Sequence, residues 1–372
     1  MAETVSIDGF GPLPVHRPTT PADVQALVRG AGTQAIYPVG GRTMLDLGLP
    51  PTRPGFALDT TGLATIIDYP ARDMTITVQA GVTLADVAKA LAAENQWLPI
   101  DVPFPERATV GGAIAANASG GRRFAQGTLR DYLLGVSFVS DEGELVSAGG
   151  RVVKNVAGYD LMKLHTGALG TLGVLTQVTL KVKPRPEASE LVSVRVAAAD
   201  LASALDKLHA SASRPAAVEL LNAPAAKWLG LDVPEWVLLV GFEEKAETVA
   251  WQLRTLRAEF AAEPCDAWPK LVALPARPES RFLAKLVAKP SELAAKLQSL
   301  PAGVAVHAHA LNGIAWLHAD APFAPPSGTM TRRTPGPKTF ASAFGDAPAL
   351  KLMRHVKATL DPRNSFNPGR LF

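Results

Sequence analysis

The chain has 372 residues, with 37 Lys and Arg against 34 Asp and Glu, and a formal net charge of +3. An apolar share of 47% and a charged share of 19% are typical of a packed globular protein and exclude a disordered chain. A single cysteine excludes an internal disulfide, an iron–sulfur cluster and a Cys-rich zinc site. The small net charge, with no run of basic residues, gives no support for nucleic-acid binding.

The length predicts two domains, or three, each with enough chain for a core. No stretch approaches the roughly 18–20 consecutive apolar residues that a membrane helix needs. The first residues lack the basic and apolar regions of a signal peptide. We therefore expect a cytoplasmic protein without a transmembrane segment.

The first half of the chain is predicted to consist of strands and short helices joined by glycine-rich turns. Strands are expected at residues 35–39, 56–59, 65–69, 75–80, 134–139, 144–147 and 174–182, and helices at 84–94 and 113–121. Thirteen of the 31 glycines lie between Gly111 and Gly173, and no proline lies between Pro105 and Pro184. Such backbone bends tightly or approaches a ligand closely and keeps its N–H donors, which favours a ligand-binding surface. A series of β-turns in a glycine-tolerant sheet is the alternative.

The segment Pro184-Arg185-Pro186 is predicted to end this first region. Beyond it, strands are expected at 191–196, 217–221, 236–242, 282–288, 303–310 and 314–318, and helices at 199–211, 245–260 and 291–300. This β-α-β-β-α order with a partial repeat predicts ferredoxin-like units, in which helices cover one face of an antiparallel sheet. An exposed Pro- and Gly-rich loop is expected at 322–337, and a last helix at 347–360.

Three glycine-containing segments have the pattern of a backbone that binds an anion or a planar ring. In Gly40-Gly41-Arg42-Thr43, which follows a strand, consecutive N–H groups can turn toward one point and bind a pyrophosphate. In residues 109–120, small side chains at a helix N-terminus would let a phosphate or a ring pack on the backbone, or would only permit tight helix–sheet packing. In residues 167–176, Gly170 and Gly173 precede a strand and can make close backbone contacts. The G-x-G-x-x-G fingerprint of Rossmann folds is absent from the first segment.

These three segments, together with the C-terminal Asn367-Pro368-Gly369-Arg370, resemble the FAD-linked oxidases of the vanillyl-alcohol oxidase type, which share the p-cresol methylhydroxylase fold. Within that family, residues 149–186 are most similar to the FAD-binding E subunits of bacterial glycolate oxidases. The resemblance covers residues 35–186 and the last ten residues, and is loose over 187–345. It implies an α+β chain with a two-subdomain FAD-binding domain at 1–186, an antiparallel-sheet, ferredoxin-like cap for substrate at 187–335, and a C-terminal segment, 336–372, that returns to the FAD domain.

The resemblance implies that the FAD pyrophosphate lies on residues 40–43, which we call the Gly-Gly loop. The cofactor-binding residues that it implies are Val39, Gly40, Gly41, Arg42, Thr43, Pro103, Thr109, Val110, Gly111, Gly112, Asn117, Gly120, Gly170, Gly173 and Val174. Some members of the family attach FAD covalently through a histidine. Neither 40–43 nor 109–121 contains a histidine, so we expect non-covalent FAD. Lys154 and Tyr159 are further candidates for flavin contacts, or for strand caps.

His307 and His309 alternate on a predicted strand and would face the same side. Catalytic relatives in the family have His-x-Gly-Asp-Gly-Asn-x-His in this region, which holds metal or substrate. The chain departs from that pattern at Leu311, Asn312, Ile314 and Trp316, so we expect no metal site of that kind. His309 is the best candidate for the base that accepts the hydroxyl proton of a 2-hydroxy acid. A hairpin with partly exposed histidines is the alternative.

Other polar residues offer weaker candidates. Arg332 or Arg333 could clamp a substrate carboxylate, or both could be solvated charges of an exposed loop. Ala168 and Leu169 stand where catalytic relatives have Ser and Glu, which removes hydrogen bonding expected near the flavin. Cys265 has no basic neighbour, so we expect an unreactive thiol.

Two functions follow from the resemblance. The first is FAD-dependent oxidation of a small 2-hydroxy acid, of the glycolate or D-lactate type, by a subunit of a multi-subunit glycolate oxidase. The alternative is a non-catalytic, electron-carrying FAD subunit whose partner flavoprotein performs the oxidation. Both imply a larger catalytic flavoprotein subunit and an iron–sulfur subunit, because one cysteine cannot hold an iron–sulfur relay. Contact with the inner membrane is expected only through those partners.

Overall fold

The computed structural model of the protein describes residues 3–150, 160–277, 279–334, 338 and 348–371. The chain divides into two compact units. The first comprises residues 1–118, 128–185 and 344–372, and the second comprises 119–127 and 186–343. The segment 119–127, which the sequence analysis placed in the first domain, is thus grouped with the second unit. The domain limits at 186 and 335 stay predictions.

The secondary structure is given in chain order. The strands are β1 (Thr4–Ile7), β2 (Phe10–His16), β3 (Ala35–Val39), β4 (Gly55–Asp59), β5 (Ile66–Asp68), β6 (Thr75–Gln79), β7 (Gln96–Trp97), β8 (Leu133–Val139), β9 (Leu145–Gly149), β10 (Val174–Lys181), β11 (Lys183–Pro184), β12 (Ala188–Val196), β13 (Ala217–Asn222), β14 (Trp236–Glu244), β15 (Ala262–Pro264), β16 (Phe282–Val287), β17 (Ala305–His309), β18 (Ile314–Ala319) and β19 (Thr329–Arg333). The helices are α1 (Pro21–Gly30), α2 (Leu84–Ala92), α3 (Val110–Ala116), α4 (Arg123–Gln126), α5 (Leu129–Tyr132), α6 (Leu161–His165), α7 (Leu201–Ala210), α8 (Ala223–Ala226), α9 (Ala246–Glu259), α10 (Trp268–Ala273), α11 (Pro290–Gln298) and α12 (Pro348–Leu360). Across the described ranges, none of these helices combines the length and the apolar character needed to cross a bilayer.

The first unit contains a four-stranded sheet in the order β1-β2-β4-β3 and a five-stranded antiparallel sheet in the order β5-β6-β10-β8-β9. Strands β3 and β4 run parallel. Strand β3 is apolar and buried on both faces, with Ile36 and Tyr37 fully inaccessible to solvent. Such a continuous apolar run is typical of a strand covered on both sides. The strand ends at Val39, so the Gly-Gly loop begins at the edge of the sheet.

Helix α2 shows how the sequence specifies the local structure of this unit. It begins where the hydroxyl of Thr83 accepts a hydrogen bond from the N–H of Asp86. Leu84, Val87 and Leu91 recur at helical spacing and are buried in the core of the five-stranded sheet. Burial of each such side chain contributes about 1.5–3 kcal/mol.

The second unit is built on an eight-stranded antiparallel sheet in the order β15-β12-β14-β13-β17-β18-β16-β19. Helices α7, α9 and α11 pack on one face through Leu205, Leu256 and Leu293. The predicted ferredoxin-like pattern is present. The prediction that helices cover only one face of the sheet is wrong in detail. The short helices α8 and α10 pack on the other face, against Leu221 and Leu239.

The segment 322–337, expected to be an exposed loop, contains strand β19. This strand pairs with β16 at the edge of the eight-stranded sheet. Arg332 is only 1% exposed, so the alternative of a solvated charge is wrong for this residue. Thr329-Met330-Thr331 is a short run of residues that favour a strand. Prolines and glycines lie on both sides of it, and a pattern dominated by such turn residues predicts a loop.

Candidate functional site

A pocket in the first unit is lined by the Gly-Gly loop, the start of α3 and the turn before β10. Its empty space is about 920 Å³, including the part open to solvent. The predicted cofactor-binding residues that line it are Val39, Gly40, Gly41, Arg42, Thr43, Thr109, Gly111, Gly112, Gly170 and Gly173. Among the described residues that line it there is no histidine, cysteine or tyrosine.

The Gly-Gly loop passes too close to the chain before α3 for any side chain at its two glycines. A Cβ on Gly41 would overlap the carbonyl of Arg107, and a Cβ on Gly40 would overlap the hydroxyl of Thr109. Within the described residues, the backbone N–H groups of Gly41, Arg42 and Thr43 have no acceptor. Adjacent unpartnered donors at a pocket wall fit an anionic group such as a phosphate, because a partly buried N–H without an acceptor is costly.

The side chain of Arg42 is committed to carboxylates of the first unit. Its Nη2 lies 2.7 Å from Oδ2 of the buried Asp59 and 2.9 Å from Oε1 of Glu3. Burial would raise the pKa of Asp59. Hydrogen bonds from Thr61 and Arg17 and the charge of Arg42 outweigh burial and lower that pKa. At this position, the loop can therefore bind an anion through its backbone N–H groups, because the Arg42 guanidinium is already paired with carboxylates.

At the N-terminus of α3, fewer backbone N–H groups are free to bind a ligand than the sequence predicted. The N–H of Val110 donates to the carbonyl of Val82 at 2.9 Å, and the N–H of Gly111 donates to the carbonyl of Ala80 at 2.8 Å. Thr109 caps the helix by accepting from the N–H of Gly112 at 3.3 Å. These N–H groups are used within the protein, so α3 contributes small side chains and close backbone to the pocket wall. An anion held by the free N–H groups of this helix is not supported.

The turn before β10 is fastened to α3 and to the C-terminal segment. Leu169 donates its N–H to the carbonyl of Ala115 at 2.9 Å and accepts from Nδ2 of Asn367 at 2.6 Å. Gly170 has a φ of +65°, and a Cβ there would approach that same amide at 3.1 Å. The backbone of Asn367 in turn donates to the carbonyl of Ile36 in β3 at 2.9 Å. The C-terminal segment thus holds the end of β3 and this turn together.

Arg370 braces the part of the chain that follows the Gly-Gly loop. It is 5% exposed, and its guanidinium donates to the carbonyls of Leu45, Leu47 and Leu49. Burial lowers the pKa of this guanidinium. Asn367 and Arg370 both line the pocket. Their motif is part of the family resemblance, but neither residue was among the predicted cofactor-binding residues.

The remaining predicted cofactor residues lie elsewhere. Val110 and Val174 are fully buried, and Pro103 is buried too. Asn117 is exposed and ends α3 in the left-handed region, with a φ of +48°, a position that asparagine tolerates well. Gly120 belongs to the second unit. Lys154 and Tyr159 lie outside the described residues.

In the second unit, His307 and His309 of β17 meet Glu219 of β13. The Nδ1 atom of His309 lies 2.9 Å from both carboxylate oxygens, and Nε2 of His307 contacts Oε2. The side chains of His307 and His309 are 1% and 2% exposed, so the alternative of partly exposed histidines is wrong. Glu219 was not predicted from the sequence, because no local pattern connects it with His307 and His309, which are 88 and 90 positions away.

The ligand atoms of Glu219, His307 and His309 lie within 4.8 Å of one another, a spacing that a metal ion could bridge. A metal-bound histidine almost always donates its other ring N–H to a carboxylate, carbonyl or water. Here Nδ1 of His307 and Nε2 of His309 are buried without a partner among the described residues. The donor set fits a hydrogen-bonded cluster better than a metal site.

Two cations lie beside the same indole ring on this unit. Lys285 Nζ is 5.3 Å and the Arg332 guanidinium carbon 5.4 Å from the centre of the Trp316 ring. Register places Trp316 directly opposite both His307 and Lys285. Burial, with the charges of Arg123 and Arg332, lowers the pKa of Lys285 to about 8. Positive charges close to one ring favour the binding of an anion there.

Comparisons with known proteins agree with this geometry. A family model described as an FAD binding domain matches residues 12–149, and a model of the C-terminal domain of FAD linked oxidases matches residues 338–371. Glycolate oxidase subunit GlcE of Escherichia coli (strain K12) is 31% identical over 347 residues, which cover 90% of this chain and 91% of that protein. Glycolate oxidase subunit GlcD of Bacillus subtilis (strain 168) is 28% identical over 393 aligned residues, covering 91% and 83%.

Other similarities are more distant or shorter. A D-lactate dehydrogenase of Archaeoglobus fulgidus is 35% identical over 173 residues, which cover 46% of this chain and 39% of that one. A solved structure of alkyldihydroxyacetonephosphate synthase superposes with a TM-score of 0.69 at 20% identity, covering 95% of this chain and 75% of that chain. This likeness confirms the predicted α+β fold of the p-cresol methylhydroxylase type. The sequence and fold together show that the chain belongs to the FAD-linked oxidase family.

Proposed function

We propose that the chain binds FAD non-covalently and oxidises a small 2-hydroxy acid of the glycolate or D-lactate type. The observation that supports this function most directly is one face of the eight-stranded sheet, where a histidine–carboxylate cluster and two cations flank a tryptophan. A 2-hydroxy acid needs a base for its hydroxyl proton and positive charge for its carboxylate. The names of relatives among glycolate oxidase subunits and D-lactate dehydrogenases support the same substrate class.

In this proposal, the backbone of Gly41, Arg42 and Thr43 holds the pyrophosphate of FAD. The other predicted residues that line the pocket, with Asn367 and Arg370, shape the rest of the site. Non-covalent binding is supported by the absence of histidine, cysteine and tyrosine among the described lining residues. When bound, FAD supplies a two-electron acceptor for the hydride equivalent that leaves the substrate carbon.

The residues of the second unit have distinct roles in the proposal. Lys285 and Arg332 hold the substrate carboxylate, and Trp316 supports both cations through its ring face. His309 takes the proton of the substrate hydroxyl through a ring nitrogen. Arg332 rather than Arg333 is the proposed carboxylate ligand because its guanidinium lies beside the Trp316 ring; its Nη1 also donates to the carbonyl of Pro275 at 3.0 Å.

The proposal extends to a complex. Two of the similar proteins are named as subunits of glycolate oxidase, which supports a larger catalytic flavoprotein subunit as one partner. An iron–sulfur subunit is the second proposed partner, because the one cysteine, Cys265, cannot hold such a cluster. We place the assembly in the cytoplasm, with any contact to the inner membrane made through these partners.

The experiment is anaerobic reduction of the purified flavoprotein. Glycolate and D-lactate are added separately, and the visible absorbance of the oxidised flavin is followed. Bleaching supports the proposed oxidation. The non-catalytic alternative is supported if neither substrate bleaches the bound flavin until the larger flavoprotein subunit is added. The absence of Ser and Glu at the positions of Ala168 and Leu169 favours that alternative. A purified protein without flavin would contradict both functions.

The role of Lys285 is testable by titration with oxalate. This dicarboxylate has no hydrogen on carbon, so it can bind but cannot be oxidised by loss of hydride. We expect Lys285→Met to raise the Kd for oxalate about tenfold or more, because a charge-assisted contact contributes roughly 1.5–3 kcal/mol. Binding by the native protein should also weaken as the pH rises through about 8, where Lys285 loses its proton.

Two matched variants control this titration. Lys285→Arg should bind oxalate with little change above pH 8, since arginine stays charged. Lys289→Met, which removes an exposed lysine paired with Glu292, should leave the Kd unchanged. Equal affinities for the native protein and Lys285→Met at pH 7 would refute the role of Lys285.

A further inference from the structure

The hydrogen bonds of Glu219 determine the tautomers of two buried histidines. A carboxylate accepts hydrogen bonds and donates none. Burial would raise the pKa of this carboxyl, but the charges and hydrogen bonds of His309 and His307 outweigh it and lower the pKa to about 2. Glu219 is therefore ionised at neutral pH. Both ring nitrogens that contact it, Nδ1 of His309 and Nε2 of His307, must then be N–H donors.

The other nitrogen of each ring is left with a lone pair when the ring is neutral. Burial lowers the pKa of His307, which favours its neutral form. Nε2 of His309 and Nδ1 of His307 are buried and have no hydrogen-bond partner among the described residues. An unpartnered buried nitrogen is costly, and such groups are concentrated where a ligand supplies the missing partner. Of the two, the nitrogen of His309 is the candidate base.

The segment 119–127 encloses the carboxylate from one side. A Cβ on Gly121 would overlap Oε1 of Glu219, so a larger residue at this position would force the Glu219 side chain to shift. The segment also carries two arginines: Arg122 pairs with Glu243 of β14 at 2.7 Å, and Arg123 is one of the charges that act on Lys285. Glu219 is thus a carboxylate enclosed by protein, whose contacts are directed at the two imidazoles.

We propose that Glu219 is a positioning residue that holds His309 in the tautomer with Nδ1–H toward the carboxylate and a free lone pair on Nε2. This inference rests on the proposed function. The substrate O–H bond breaks and its proton passes to Nε2, while the hydrogen on the substrate carbon leaves with two electrons to FAD. Glu219 stays ionised throughout and stabilises the imidazolium that forms.

The test compares Glu219→Gln with Glu219→Asp in the full chain. A carboxylate accepts from both histidines, whereas a glutamine amide offers one acceptor and one donor. Nδ1 of His309 lies 2.9 Å from both carboxylate oxygens, so in Glu219→Gln one of these contacts is with the amide nitrogen. A ring that contacts this nitrogen is expected to present a lone pair to it and to change its tautomer. Ring ¹⁵N NMR of the native protein should show His309 with Nε2 unprotonated, and the resonances are assigned with His309→Gln and His307→Gln. Glu219→Gln should show a changed tautomer in one of the two rings.

The kinetic readout is the rate of anaerobic flavin reduction. We expect Glu219→Gln to lower the limiting rate roughly 10²-fold or more, the usual contribution of a general base, with the substrate Kd changed less than about threefold. Glu219→Asp should recover part of the rate, because it keeps two acceptors. A limiting rate in Glu219→Gln within threefold of the native rate would overturn the proposal.

Other outcomes separate this inference from the proposed function. Failure of every 2-hydroxy acid to reduce the native flavin would refute the proposed function, and the NMR spectrum would still report the tautomer. A protonated Nε2 on His309 in the native protein would refute the positioning role alone. The positioning role would also be refuted if the purified protein contained one equivalent of a divalent metal and Glu219→Gln did not. The ring nitrogens that face Glu219 would then be metal ligands. If Glu219→Gln did not fold, the native spectrum and Glu219→Asp would still decide the question.

Discussion

Replacement of Gly41 by alanine should abolish the retention of FAD. The added Cβ would overlap the carbonyl of Arg107, so the Gly-Gly loop must move and its N–H groups lose their direction. Hydrogen bonds to charged groups contribute about 1.5–3 kcal/mol each, and loss of two corresponds to an affinity at least about a hundredfold lower. The measurement is the ratio of flavin to protein absorbance after gel filtration, with the Kd from titration of the apoprotein with FAD.

Gly30→Ala is the matched control. Gly30 is the exposed last residue of α1, and a Cβ there meets nothing within 4 Å. We expect this variant to retain flavin at the native ratio and to be as stable or slightly more stable. Full flavin content in Gly41→Ala would rule out the Gly-Gly loop as the pyrophosphate site.

The second large effect is expected for Lys357→Met in helix α12. Lys357 Nζ donates to the carbonyls of Thr171 and Phe366 at 2.8 Å each and to the carboxylate of Asp361. Asp361 in turn accepts from the N–H groups of Ser365 and Phe366. Removal of one partner of a buried ion pair costs about 3–5 kcal/mol, because the remaining charge loses its partner. We expect the midpoint of thermal unfolding to fall by roughly 6–20 °C.

Two further variants make this result specific. Lys351→Met changes an exposed lysine of the same helix and should leave the unfolding midpoint within about 2 °C, since surface substitutions usually change stability by less than 0.5 kcal/mol or so. The double variant Lys357→Met with Asp361→Asn should be more stable than the sum of the single changes predicts, because no unpaired charge remains. Strict additivity would show that the two side chains do not act as a pair.

The Gly-Gly loop and helix α2 were predictable because both are specified by neighbouring residues. The apolar run of residues 35–39 followed by two glycines predicts a strand and a tight turn, and β3 ends where that pattern does. Thr83 followed by apolar residues at helical spacing predicts the start of α2. Arg332, the proposed carboxylate ligand, was less predictable. It is buried, and it lies in β19, a short strand between turn residues that pairs with β16.

Glu219 and Arg370 mark the limit of sequence patterns in this chain. Glu219 reaches His307 across the pairing of β13 with β17, a contact between residues 88 positions apart. Arg370 reaches the carbonyl of Leu45 over 325 positions. No local periodicity encodes such contacts, because they depend on which strands pair and in which register.

The amino-acid sequence was sufficient for the fold class, for the FAD-linked oxidase family and for the glycine positions around the candidate FAD pocket, because these depend on local backbone requirements. The three-dimensional arrangement was needed to learn which polar groups remain available to a ligand. The N–H groups of Val110 and Gly111 are used by Val82 and Ala80, whereas those of the Gly-Gly loop are left without acceptors within the described residues. Hydrogen-bond partners distant in sequence decide that difference, and every donor must be accounted for in the folded chain.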